Sequence, residues 1–185
     1  NTAIGFQALT NSTTSSSNTA IGYGSLGSNT TGDSNVVVGT VAMDASTTAS
    51  RAVAVGNGAL GANTTGSYNT AVGFNALLLT TTGQSNIAMG NGAANSNTTG
   101  NNNVALGTVA LIACTTGSSN IAIGTDALSR TTGTNNTAVG ANALDANTSG
   151  TENTAVGKGA LTSATTGGSN IAIGGSALRD VTSSS

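Results

Sequence analysis

Histidine is absent from this 185-residue sequence, and with it the commonest acid–base catalyst and metal ligand. Proline and tryptophan are absent too, aromatic residues make up 2% and charged residues 5%, where an ordinary domain carries about a quarter charged residues. Four basic and six acidic side chains leave a net charge of −2, with no basic stripe for nucleic acid or anionic lipid. The shortage of charge also argues against disorder, because 37% of the residues are apolar. No apolar run approaches the roughly 20 residues of a membrane helix; "ALLLT" (76–80) is the longest patch of interest. The single cysteine, Cys114, can form no internal disulfide and stands where other segments carry Asn, Ser, Thr or Ala, so it reads as a small-residue substitution. Neither an initiator methionine nor a signal-peptide pattern appears at Asn1, and the expectation is a piece of a longer chain.

What is present is one segment written again and again. The glycine that closes each N-x-A-x-G stands at Gly5, Gly22, Gly39, Gly56, Gly73, Gly90, Gly107, Gly124, Gly140, Gly157 and Gly174. The step is 17 residues throughout except from Gly124 to Gly140, where "ALSRTTG" lacks one residue. The copies start at Asn1, Asn18, Asn35, Ala52, Asn69, Asn86, Asn103, Asn120, Asn136, Asn153 and Asn170, with no linker between them, so residues 1–185 read as a single array.

Counted from its asparagine, a copy reads N-[T/I/V]-A-[I/V/L/M]-G-x-x-A-L-x-x-x-T-T-G-x-x. The second position is β-branched in every copy, and the fourth is Ile or Val in all but Met89 and Leu106. Such residues fit a pleated surface and are stiff at χ1, which predicts a short strand ended by the glycine. A second strand is expected from "AL" toward "TT", closed by a second turn. Strand–turn units of this kind stack like on like at about 4.8 Å per coil, giving an all-β parallel solenoid roughly 50 Å long with asparagine and threonine ladders.

Both faces of the first strand lack charge, whereas a solvated face carries polar residues at alternate positions. The invariably small third residue suggests another backbone close by, and the expectation is a homo-oligomer. Val72, Leu77, Ile123 and Leu128 are then candidates for the coil core, and Ala71, Ala88, Ala105 and Ala122 for the subunit contact. The residues alone leave the two faces exchangeable.

"NTAIGFQAL" (1–9) and "NIAIGTDAL" (120–128) resemble the YadA-like (Hep/Hag) head repeats of trimeric autotransporter adhesins, and the form N-T-A-[I/V]-G-x-x-A-L…T-T-G is similar to repeats in phage and bacterial tail-fibre-type proteins. The resemblance runs through all eleven copies. It implies a left-handed β-roll in an intertwined homotrimer displayed on an extracellular surface or virion fibre. The period here is longer than in the adhesin repeat.

Catalytic chemistry is thinly provided. Asp33, Asp44, Asp126, Asp145, Glu152 and Asp180 offer no pair placed as two convergent carboxylates would be. "GNGALG" (56–61) matches a dinucleotide fingerprint by letter but arises from the repeat and has no βαβ context. No catalytic residue, cofactor or metal is expected. Asn29, Asn63, Asn97 and Asn147 sit in N-x-[S/T] triplets and read first as turn residues, second as glycosylation sites. The reading is a non-enzymatic fibre segment, the head or shaft of an adhesin or tail fibre, with itself as partner and a host-surface glycan or protein as a second one. A self-assembling filament or matrix protein is the alternative, and an ice-binding solenoid built on the threonine pairs is third. Phe6, Tyr23, Tyr68, Phe74, Arg51 and Lys158 break the repeat and are candidates for specific contacts.

Overall fold

The computed structural model describes residues 1–179. Each copy contributes one three-residue strand: β1 (Thr2–Ile4), β2 (Thr19–Ile21), β3 (Val36–Val38), β4 (Val53–Val55), β5 (Thr70–Val72), β6 (Ile87–Met89), β7 (Val104–Leu106), β8 (Ile121–Ile123), β9 (Thr137–Val139), β10 (Thr154–Val156) and β11 (Ile171–Ile173). The eleven strands form one parallel sheet in sequence order. Like pairs with like, Ala71 with Ala88 and Val72 with Met89. The chain is a β-solenoid with about one copy per turn. The short step is absorbed without loss of register, since Ile121 still pairs with Thr137. The missing residue is the exposed second threonine, and Thr131 Oγ1 there accepts the Gly133 N–H at 3.0 Å.

The expected second strand does not form. From the fifth to the ninth position the backbone alternates in hand instead, as at Gly73 (φ 136), Asn75 (φ 54) and Leu77 (φ 51). The turns still build a coil-to-coil ladder: Asn75 N–H donates to Asn57 O at 3.0 Å, Leu77 N–H to Ala93 O at 3.0 Å and Thr81 N–H to Thr98 O at 2.9 Å. A leucine in the left-handed region costs about 1–2 kcal/mol. Burial of its side chain and the ladder bonds offset that strain. A further left-handed residue at the seventeenth position, such as Tyr68 (φ 64), leads each coil into the next strand.

The interior of each coil is made by the first, third, eighth, ninth, twelfth and fifteenth positions; in the fifth coil these are Asn69, Ala71, Ala76, Leu77, Thr80 and Gly83, all buried. This corrects the expected assignment of faces. Ala71, Ala88, Ala105 and Ala122 are each 0% exposed in a single chain, so they line their own coil and no subunit contact. Ile123 is exposed and Val72 half-buried on the outer face, so neither fills the core, while Leu77 and Leu128 do lie inside. The reason is width. A coil this narrow admits mostly Ala, Asn and Gly along its strand side, Val37 being the largest of the third-position residues, and one larger side chain, usually the ninth-position leucine, from the opposite wall.

The first-position asparagines form the polar spine of this interior. Asn103 Nδ2 donates to Gly117 O at 2.8 Å. Its Oδ1 accepts the Asn120 N–H at 3.0 Å and Asn120 Nδ2 at 3.3 Å. Each buried amide thus caps the backbone of the next coil and closes its own, satisfying groups that water cannot reach. Ala52 interrupts the spine and offers no side-chain oxygen to Asn69, whose Nδ2 reaches across to Gly66 O at 3.2 Å. Asn103→Ala is expected to lower stability by about 2–3 kcal/mol, because it orphans a buried donor and acceptor. Ala52→Asn is expected to raise it by about 1 kcal/mol by completing the spine. Urea unfolding of the two variants beside the parent checks both.

Candidate interaction surface

The second and fourth positions point away from the interior and form two parallel columns along the sheet. Neither position carries a charge in any of the eleven copies. The columns are apolar apart from threonines, and Ile4, Val36, Val55, Ile87, Met89, Ile121, Ile123, Val156, Ile171 and Ile173 are exposed. Single exposed apolar residues are ordinary, but a continuous strip is not. The absence of charge at both positions in every copy is the sequence signal of this strip, and the structure decides which of the two exchangeable faces carries it.

The sixth and seventeenth positions border the strip, two residues beyond the fourth and two before the second. Stacking continues there: the Phe6 and Tyr23 rings lie 5.7 Å apart at 18°. On the other border Arg51 Nη1 donates to Tyr68 Oη at 2.6 Å, with the guanidinium 5.4 Å from the ring centroid. The residues that break the repeat, Phe6, Tyr23, Arg51, Tyr68, Phe74 and Lys158, are all exposed on these two borders.

The turn glycines, Gly5 to Gly174, stand at the corner after each strand. Their φ values of +121 to +147 disfavour any side chain, and from Gly5 to Gly157 the close approach of the next coil excludes one as well. Asn29, Asn63, Asn97 and Asn147 are fully buried; Asn63 Nδ2 donates to Gly66 O at 2.9 Å while its Oδ1 accepts the Gly66 N–H at 3.1 Å. These four amides are therefore turn-closing groups, and the folded chain offers none of them to a glycosylating enzyme. The first threonine of most pairs is also engaged, as Thr64 Oγ1 donates to Thr81 O at 2.9 Å and Thr98 Oγ1 to Thr115 O at 2.9 Å. The second residue of the pair faces the exterior, at most one per coil, since the eighth coil lacks it and the ninth carries Ser149, which is a sparse row for ordering water.

The carboxylates are dispersed over the exterior. Burial pushes the Asp44 carboxyl above its ordinary range, and Ser129 Oγ donates to Asp145 Oδ1; Asp180 lies outside the described residues. Among the described residues no group of three His, Cys, Asp or Glu could hold a metal ion. No helix there is long and apolar enough to cross a membrane. Among the described residues two buried oxygens, Ser46 Oγ and Asn97 Oδ1, lack partners, and they lie three coils apart.

Cys114 is buried in the twelfth column, and burial pushes its thiol up from 9.0 to about 11. The folded state thus favours the neutral thiol, a contribution that is complete below about pH 9.0 and lost as the pH rises through about 11. The expected result is no labelling of Cys114 by a thiol reagent at neutral pH until the chain is unfolded. Cys114→Ala should flatten the stability loss between those two pH values. No family model, curated protein or solved structure matches this chain.

Proposed function

We propose that this chain is a non-enzymatic structural segment of an extracellular fibre, serving as the head or shaft of a cell-surface adhesin or tail fibre. The observation that carries the reading is the unbroken register of eleven coils around a buried asparagine spine. Most of the backbone bonds between coils recur from one coil to the next, so stiffness accumulates along the axis while the exterior stays variable. Polar turns repeated at each coil suit many weak contacts acting together, to a host-surface glycan or protein. The resemblance of the strand motif to trimeric adhesin repeats agrees with self-association, three copies being the stoichiometry that it suggests.

An extracellular filament or matrix protein is the second reading, and the charge-free outer strip favours it, since a strip of that kind suits lateral assembly. Removing residues 69–102, two whole copies, tests the structural role. The fibre reading requires surface fibres shortened by about 10 Å, two coil spacings, with the protein detected by antibody outside the intact cell or virion. Fibres of unchanged length, or protein confined inside, would overturn it.

A further inference from the structure

The outer strip is bounded by two borders whose unusual residues match each other coil by coil. Glu152, the last residue of the ninth copy, stands two residues before β10 and Lys158 of the tenth copy two residues after it, as "ENTAVGK" (152–158) shows. Around β5 the corresponding residues are Tyr68 and Phe74, in "YNTAVGF" (68–74). Glu152 is the sole acid of the seventeenth column and Lys158 the sole base of the sixth, yet they flank the same strand. Each pair sits on opposite borders of one chain, separated by a strand and a corner, roughly 20 Å of chain. Within the chain Glu152 instead accepts from Ser169 Oγ at 3.3 Å and Tyr68 Oη accepts from Arg51 Nη1 at 2.6 Å.

Both pairs can meet between chains. Rotation about an axis that runs along the rod keeps coil heights unchanged. With the strips facing inward, it sets the seventeenth-position border of one copy against the sixth-position border of the next. Glu152 then faces Lys158 of the next copy and Tyr68 faces Phe74 of the next copy, while Arg51 faces the neutral Asn57. The match is the same for two copies or three. A reversed copy overlapping all the strands would set Glu152 against Ser17 and make no ion pair. The area is adequate. Eleven strands at about 4.8 Å and three residues at about 3.3 Å give roughly 500 Å² per copy. Two copies cover about 1,000 Å² in total, the size at which specific interfaces begin.

We propose that this strip is a homo-oligomer interface in which copies of the chain pack parallel and in register, the Glu152 border of one copy meeting the Lys158 border of the next. The apolar columns supply the contact, and the border pairs select parallel over reversed packing. The proposal rests on the fibre reading only for its partner, a second copy of this chain.

The test uses the whole chain with Cys114→Ala, a residue already present at that place in the tenth coil as Ala164. Mild oxidation of Glu152→Cys/Lys158→Cys should join most chains covalently. Glu152→Cys/Thr108→Cys, with the second thiol three coils out of register, should join almost none. Met89→Glu/Ile123→Glu, both on the exposed strip, should weaken association roughly tenfold or more in sedimentation while the far-UV spectrum and rod length are kept. A parent chain that sediments as a monomer at high concentration would overturn the proposal, as would equal cross-linking in the two cysteine variants or an oligomer indifferent to Met89→Glu/Ile123→Glu. A rod measured by X-ray scattering that stays monomeric would leave the fibre reading standing, so the two fail separately.

Discussion

Gly90→Ala is expected to lower the unfolding free energy by about 4 kcal/mol, one of the largest effects of any single methyl added to this chain. Gly90 has φ +134, and a Cβ built there lies 2.6 Å from Gly107 O and 2.7 Å from Gly107 C. The backbone conformation alone costs an L-residue on the order of 1–3 kcal/mol. The clash is with the backbone of the next coil, not with the end of a side chain, so relief requires the coils to separate. Separation in turn lengthens bonds such as Gly107 N–H to Met89 O, 2.8 Å in the parent. The overpacking adds a further 1–3 kcal/mol or so. Gly175→Ala is the matched control, since nothing lies within 4 Å of its added Cβ, and it should stay within about 0.5 kcal/mol of the parent. Thermal and urea unfolding of the two variants measure the difference.

Ala88→Glu is expected to prevent folding of the central coils, at a cost of about 5 kcal/mol or more. Ala88 is 0% exposed and stacks between Ala71 and Ala105 inside the coil. Glutamate there must find room among packed backbones and must also lose its hydration. Among the described residues the interior holds no charged side chain, so nothing compensates a carboxylate. Protonation removes the charge but not the excess volume, so acid pH should recover only part of the loss. Because each coil is stabilised chiefly by its neighbours, the damage should spread to adjacent coils and appear as a split or broadened transition.

The period, the strand and the corner glycine were legible in the sequence because each has a local cause: β-branched residues on a pleat, then a residue that only glycine suits. The run from the eighth to the thirteenth position was not. Leu77 and its equivalents take up a left-handed backbone that leucine disfavours, and no local preference announces it. What holds that geometry is the ladder to the neighbouring coil, which a single copy does not reveal. The faces were misassigned for a related reason. Ile123 is larger and more apolar than Ala122, and in a wide core it would be the inner residue. Here the asparagine spine and the glycine column bring the walls so close that size, not hydrophobicity, decides which residue is inside.

Asn120 could have given the answer from sequence alone. An asparagine at the start of a strand, two residues before an alanine, shares that alanine's face. A buried amide ladder then requires small neighbours, and the β-branched positions are forced outward. The candidate surface follows from the same alternation, since whatever the interior excludes must line the exterior.

The most direct test compares two neighbouring positions by one measurement, the thermal unfolding midpoint of Ala88→Glu and of Met89→Glu. Ala88 is 0% exposed and Met89 46%. If alanine lines the coil and the β-branched columns lie outside, Ala88→Glu loses its cooperative transition. Met89→Glu then keeps a chain-level midpoint within a few degrees of the parent, measured where both are monomeric. The reverse result, a tolerated Ala88→Glu and an unfolded Met89→Glu, would contradict the assignment of inside and outside.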